Sequence, residues 1–114
     1  MILEELLRIT AIESNIIIEK AKQKDYSAFE YAKKQRKYFD VISPMDGFNY
    51  WKQIDDYEFC IKSNTSKDEI ELSKIYTDLE NYIPEVYGNL FKKILLKLQE
   101  VINKKAIMNS SYIN

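Results

Sequence analysis

The sequence contains no histidine, one cysteine, two glycines and two prolines among 114 residues. Without histidine, the commonest catalytic acid and base and the commonest metal ligand are missing. The scarcity of glycine leaves few positions for the strained loops that bind phosphate groups. These absences argue against ordinary catalysis, so we expect neither an enzyme nor a bound cofactor.

Long apolar runs are also missing. The longest is the three isoleucines at positions 16 to 18, whereas a membrane-spanning helix needs about 20 apolar residues. The start Met-Ile-Leu-Glu-Glu places acidic residues where a secretory signal needs basic ones. We therefore expect a cytoplasmic protein that does not enter the membrane.

What is present indicates a folded domain. Hydrophobic residues make up 46% of the chain and the formal net charge is −1, which excludes the low hydrophobicity and high net charge of disordered chains. A chain of this length buries enough surface for one core. We expect a single helical bundle domain over residues 1–108 and a frayed tail over residues 109–114.

Apolar residues recur at helical spacing in four segments, which predicts helices over residues 2–23, 27–42, 67–82 and 84–107. Two starts carry capping-box spacings, Ser27 with Glu30 and Ser66 with Glu69. Pro84 suits the first turn of a new helix. These boundaries predict an all-α fold.

Residues 45–62 are ambiguous. Asp46-Gly47 is a turn signal that could also cap a helix, while Tyr57, Phe59 and Ile61 alternate with polar residues as in a strand. Helix is favoured because a single strand would have no partner in this sequence. The predicted fold class is therefore an all-α bundle of four or five helices.

The first helix carries a second apolar stripe, nearly opposite the first, formed by Ile2, Ile9, Ile12 and Ile16. A patch of this size is seldom left in water. We therefore expect this helix either to lie at the centre of the bundle or to form a homodimer interface.

Two groups of large side chains indicate a surface for another protein. Phe29 falls on the basic side of the second helix, away from its core stripe, and four large side chains crowd the turn around Pro44 and Gly47. Aromatic and methionine anchors beside charged residues are typical of interface hot spots. The predicted partner-binding residues are Phe29, Lys33, Arg36, Lys37, Met45, Phe48, Tyr50 and Trp51.

The favoured function is thus a small, non-catalytic protein-binding module. Inhibitors, antitoxins, immunity proteins and adaptors fit this description, including those encoded by phages or mobile elements. The partner would be another protein.

One alternative is a nucleic-acid-binding regulator. Residues 20–39 carry a net charge of +5 and residues 92–114 a net charge of +4, and such basic faces could contact phosphates. The second helix and its approach also carry Tyr26, Phe29 and Tyr38, whose rings could stack on bases. A sequence pI near 5.5 and the presence of only two arginines weigh against this alternative.

A weaker alternative is an all-α, Mg-dependent nucleotide pyrophosphohydrolase. Carboxylates at short spacings could hold Mg²⁺ through oxygen atoms alone, namely those of Asp55, Asp56, Glu58, Asp68 and Glu71. The spacing is degenerate, and solvated acidic faces explain it equally well. Cys60 has no histidine to take its proton, so we expect a buried core residue and not a nucleophile.

Overall fold

A computed structural model describes the backbone of residues 2–63 and 68–113, with the side chains of these residues except 2, 3, 7, 11 and 107–113. Within this part of the chain no strand occurs, and the helices are α1 (Ile2–Lys22), α2 (Ser27–Lys34), α3 (Arg36–Asp40), α4 (Pro44–Ser63) and α5 (Glu69–Ile113). The predicted all-α bundle is confirmed. The helical interpretation of residues 45–62 is confirmed over the strand.

A short turn joins α1 to α2. Lys24 has a positive φ of 63°, and the Asp25 carboxylate accepts hydrogen bonds from the backbone N–H of Ser27 at 3.2 Å and from its hydroxyl at 2.6 Å. The Ser27 hydroxyl is therefore engaged as a donor to Asp25, and the predicted capping box with Glu30 does not form. At the second predicted box Ser66 lies outside the described residues, and Asp68 accepts a hydrogen bond from the Ile70 N–H at 2.9 Å.

The single helix predicted over residues 27–42 is wrong, because the chain breaks at Gln35 into α2 and α3. Gln35 has φ −72° and ψ −3°, and its N–H bonds to the carbonyl of Ala32 at 3.1 Å. This tighter bond ends the α-helical ladder locally. The break allows α3 to turn and bring Phe39 onto α4.

Helix α4 begins at Pro44, so Asp46 and Gly47 lie inside its first turns and form neither a separate turn nor the cap of the helix. Proline is well tolerated in the first turn of a helix because its missing N–H would have no helical partner there. Gly47 is buried, and a Cβ at this position would overlap Oδ1 of Asp40 and lie 3.1 Å from Cγ of Arg36. The absence of a side chain at Gly47 thus lets α4 pass close to α3.

The two helices predicted over residues 67–82 and 84–107 form one continuous helix, α5, with Pro84 inside it. Proline removes one backbone hydrogen bond from a helix interior. Ile83 and Tyr87, which flank it, are fully buried, so tertiary packing holds the helix together across that gap. Helix α5 continues to Ile113, and the fraying predicted for residues 109–114 stays a prediction.

Three aromatic rings lie at the centre of the core. Phe39 stacks on Tyr50 with ring centroids 4.4 Å apart, and Tyr87 meets both rings at 5.3 and 5.7 Å. The Tyr50 hydroxyl donates to the carbonyl of Ala32 at 2.7 Å. Because that uses its only proton, the 3.1 Å bond between the two tyrosine hydroxyls has Tyr87 as the donor. This chain of hydrogen bonds ties α5 to α4 and α2.

Helices α1 and α5 run antiparallel. Lys22, at the end of α1, has its Nζ 5.8 Å from the ring centroid of Tyr76. Glu13, nearer the start of α1, acts on Tyr87, which lies further along α5: its charge adds to the effect of burial in raising the pKa of Tyr87. At 1.5 Å per residue, the first residue of α1 falls opposite roughly residue 97 of α5. The molecule is accordingly elongated, 72 Å long and 21 to 23 Å across, and α5 projects beyond the bundle.

Within the described parts of the chain, none of the helices combines the length and the apolar character needed to cross a membrane.

Candidate protein-binding surface

Three of the predicted partner-binding residues lie exposed on one side of α4. Met45, Phe48 and Trp51 are 65%, 47% and 37% exposed, and their spacing of three residues places them on adjacent turns. Phe59, two turns beyond Trp51, is also exposed on this side. We call these four side chains the α4 apolar face. Phe59 is not among the predicted partner-binding residues, although it lies eleven residues, or about three helical turns, after Phe48 and so shares its side of a helix.

The cations of α2 and α3 lie directly behind this face. Lys33 has its Nζ 5.3 Å from the ring centroid of Trp51, and the Arg36 guanidinium carbon lies 5.9 Å from that of Phe48. These distances fall within the range of cation–π attraction. The two rings are therefore held from behind, while their outer surfaces remain open to solvent.

Lys33 is not an exposed interface residue, so that prediction is wrong. Its side chain is buried, and Nζ lies 2.9 Å from Glu58, 3.0 Å from Asp55 and 3.1 Å from Glu30. Burial alone would lower the pKa of Lys33, but the hydrogen bonds to these carboxylates outweigh it and raise the pKa above its ordinary value. Lys33 thus docks α2 onto α4.

Two other predicted residues are also buried. Phe29 is fully buried in the core with its ring 6.4 Å from that of Tyr26, because α2 packs against α1 on one side and against α4 on the other. Tyr50 is fully buried among Phe39 and Tyr87. Neither side chain can meet a partner, and both predictions are wrong.

The remaining basic residues of the predicted surface lie at its edge. Arg36 is half-buried and its Nε lies 3.4 Å from Oδ1 of Asp40. Lys37 is exposed, with its Nζ 5.2 Å from the ring centroid of Tyr38. The carboxylates around Lys33 and Arg36 neutralise much of the positive charge that the sequence places beside the apolar side chains.

The second stripe of α1 is only partly exposed. Ile9 is buried in the core, whereas Ile12 and Ile16 are each 42% exposed beside a shallow groove reached by Tyr31. The side chain of Ile2 lies outside the described residues. Of the two alternatives for this stripe, a position in the bundle holds for Ile9, and a homodimer interface through Ile12 and Ile16 stays a prediction.

Glu13 lies in the middle of the core stripe of α1, between Ile9 and Ile17, and is only 2% exposed. Neither of its carboxyl oxygens has a hydrogen-bond partner among the described residues. Burial raises the pKa of Glu13 to about 8, and the positive charge of Arg8 offsets this only in part. The sequence analysis assigned no role to this residue.

Two of the acidic residues considered for Mg²⁺ contact lysine side chains. Asp55 and Glu58 flank the Lys33 ammonium group, and the second oxygen of Glu58 lies 3.1 Å from Nζ of Lys62. The described residues contain no group of three carboxylate or cysteine side chains placed to hold a metal ion. Cys60 is exposed and not buried, so the prediction of a core position is wrong.

The largest exposed apolar surface that the sequence analysis did not single out lies on α5. Leu95, Leu96, Leu98, Val101 and Ile102 are each at least 45% exposed. Helical spacing groups Leu95, Leu98, Val101 and Ile102 with the buried residues of α5, but spacing does not show where the neighbouring helix ends. The antiparallel helix α1 is too short to cover α5 beyond about residue 97.

Neither a protein-family model, nor a curated protein, nor a solved structure matches this chain. The proposals below therefore depend on the geometry of the molecule alone.

Proposed function

We propose that this protein is a non-catalytic binding module whose partner is another protein that packs on the α4 apolar face. The observation that carries the proposal is the exposure of Met45, Phe48 and Trp51 on successive turns of one helix. Large aromatic and methionine side chains are the residues that dominate binding energy at protein interfaces.

The rigidity of the face supports this proposal. Association costs free energy when flexible side chains become fixed, about 0.5 to 1.5 kcal/mol for each one. Phe48 and Trp51 already have Arg36 and Lys33 against their inner surfaces, and Lys33 is fixed by three carboxylates. A partner would therefore meet side chains that have little freedom left to lose.

The charge around the face also favours a protein over a nucleic acid. Lys33 and Arg36, the two cations of the basic segment 20–39 that lie against the α4 apolar face, are both paired with carboxylates. Phosphate binding depends on cations that are free to replace counterions. A partner with an apolar ridge or groove and a polar rim fits this surface better. Inhibitors, antitoxins, immunity proteins and adaptors all act through surfaces of this kind.

The test is affinity capture of the partner by the full chain from cells of its source, with and without nuclease, followed by titration of the purified complex. We expect capture to resist nuclease and Phe48→Ala to weaken binding by about 2 kcal/mol, or roughly 30-fold. Asn49→Ala is the matched control, because Asn49 is exposed on the same helix outside the face.

Two results would contradict the proposal. One is capture that nuclease abolishes, which would identify nucleic acid as the ligand. The other is equal binding by Phe48→Ala and Asn49→Ala, with both variants as thermally stable as the wild type. Trp51→Ala is less informative, because Trp51 also covers the ion pairs of Lys33 and its removal is expected to reduce folding stability.

A further inference from the structure

The end of α5 carries an apolar stripe without a partner in the described structure. We call residues 95–106 the α5 projection. Leu95, Leu98 and Ile102 lie along one side of it at helical spacing and are about half exposed. Leu96, which is 65% exposed, points to a different side, because each residue turns the helix by about 100°. The stripe lies beside the buried side of α5, which Ile83, Tyr87 and Leu90 occupy within the bundle.

The same side of α5 borders a groove at the other end of the helix. This groove, of about 420 Å³, lies between α1 and α5 and is lined by Ile18, Lys22, Glu69, Leu72, Ser73, Tyr76, Thr77 and Glu80. At 100° per residue, Ser73, Thr77 and Glu80 share an arc of about 60° with Leu98 and Ile102. The groove and the stripe of the projection therefore face the same direction, one at each end of α5.

The two ends of α5 carry opposite charge. Residues 69–85 contain five acidic residues and one lysine, whereas residues 92–106 contain five lysines and one glutamate. Two α5 helices side by side in parallel would place like charges together. In the antiparallel arrangement the basic projection of each helix lies along the acidic half of the other, which is favourable.

We propose that two copies of this chain form a two-fold symmetric dimer in which each α5 projection lies in the α1–α5 groove of the partner copy. An antiparallel pair related by a two-fold axis is closed, and it makes the same contact twice. Each contact covers Leu98 and Ile102 with apolar groove residues such as Leu72 and Tyr76. It also places Lys105 near Glu69 at the rim, because each lies three residues beyond the apolar contact, at 1.5 Å per residue.

This dimer leaves the α4 apolar face free, so it is independent of the proposed function. It also differs from a dimer through Ile12 and Ile16 on α1, since those residues border another groove.

The first test is sedimentation equilibrium of the full chain at micromolar concentration and physiological salt. We expect a mass near 27 kDa, twice the 13.6 kDa of one chain. The double variant Leu98→Glu with Ile102→Glu should raise the dimer dissociation constant by about 100-fold, because it places charges in the contact. Leu96→Glu is the matched control and should remain dimeric. Circular dichroism should show that the variants stay helical, since these residues lie beyond α1.

The second test is a charge exchange. One variant carries Lys105→Glu, and the other carries Glu69→Lys. Each alone should dimerise about 10-fold more weakly than the wild type at low salt, because like charges then meet at both contacts. An equimolar mixture of the two should form a heterodimer with restored affinity, since both contacts again join opposite charges.

Four outcomes would overturn the proposal. The first is a wild-type monomer at micromolar concentration. The second is a dimer that survives Leu98→Glu with Ile102→Glu but dissociates with Ile12→Glu and Ile16→Glu, which would place the interface on α1. The third is equal dissociation by Leu96→Glu and by Leu98→Glu with Ile102→Glu. The fourth is a mixture of the charge variants that does not recover affinity.

Discussion

Replacing Glu13 with glutamine should stabilise this protein at neutral pH and have much less effect in acid. Glu13 is only 2% exposed, and both of its carboxyl oxygens lack a partner among the described residues. Burial raises the pKa of Glu13 to about 8 from an ordinary value of 4.5. Glutamine has nearly the same shape but carries no charge at any pH.

The sign of the effect follows from proton binding. Between pH 4.5 and pH 8 the folded protein keeps a proton on Glu13 that the unfolded chain releases. The stability associated with this residue is therefore full below pH 4.5 and is lost as the pH rises towards 8. At about 1.4 kcal/mol per pH unit, the loss amounts to about 3 kcal/mol by pH 7.

Urea denaturation at pH 5, 6, 7 and 8 measures this loss. We expect the free energy of unfolding of Glu13→Gln, relative to the wild type, to rise by about 3 to 4 kcal/mol between pH 5 and pH 8. The comparison uses the change with pH, because a buried amide has a hydrogen-bonding cost of its own that does not vary with pH. Glu19→Gln, an exposed change on the same helix, is the control and should follow the wild-type curve.

Parallel curves for the wild type and Glu13→Gln would refute the reasoning. They would mean that the Glu13 carboxyl group ionises in the folded protein as easily as in the unfolded chain. A partner or a water path would then have to reach its oxygens.

Three further predictions concern the packing of α4. Lys33→Met should cost about 1 to 3 kcal/mol in urea denaturation, because the buried Glu58 loses Lys33 and keeps Lys62, which lies at 3.1 Å. Glu58→Met in the same chain should recover much of that loss. Gly47→Ala should lower the melting temperature when Asp40 is present, since a Cβ at this position meets the Asp40 carboxylate. In a chain that also carries Asp40→Ala, Gly47→Ala should leave the free energy of unfolding unchanged or raise it by up to about 1 kcal/mol through helix propensity. Tyr50→Phe should cost about 1 to 3 kcal/mol by thermal denaturation, because it removes the acceptor of the buried Tyr87 hydroxyl and one of the two donors to the Ala32 carbonyl. An unchanged melting temperature would contradict this hydrogen-bond chain.

The sequence by itself determined the fold class. Apolar residues at helical spacing, two prolines and few glycines predict helices over most of the chain, and the structure has helices there. Side-chain spacing along a helix is fixed by the backbone, so periodicity shows which residues share a face. The sequence also predicted that Met45, Phe48 and Trp51 are accessible to a partner, and all three side chains are exposed on α4.

Only the tertiary structure decided which faces meet. Phe29 and Lys33 lie on the side of α2 that periodicity assigned to solvent, but α2 is packed between α1 and α4, so both sides are covered. Pro84 stays inside a helix because Ile83 and Tyr87 are held in the core. The uncovered stripe of α5 exists because α1 ends before α5 does. These outcomes depend on contacts between distant segments, and the local sequence pattern carries no record of such contacts.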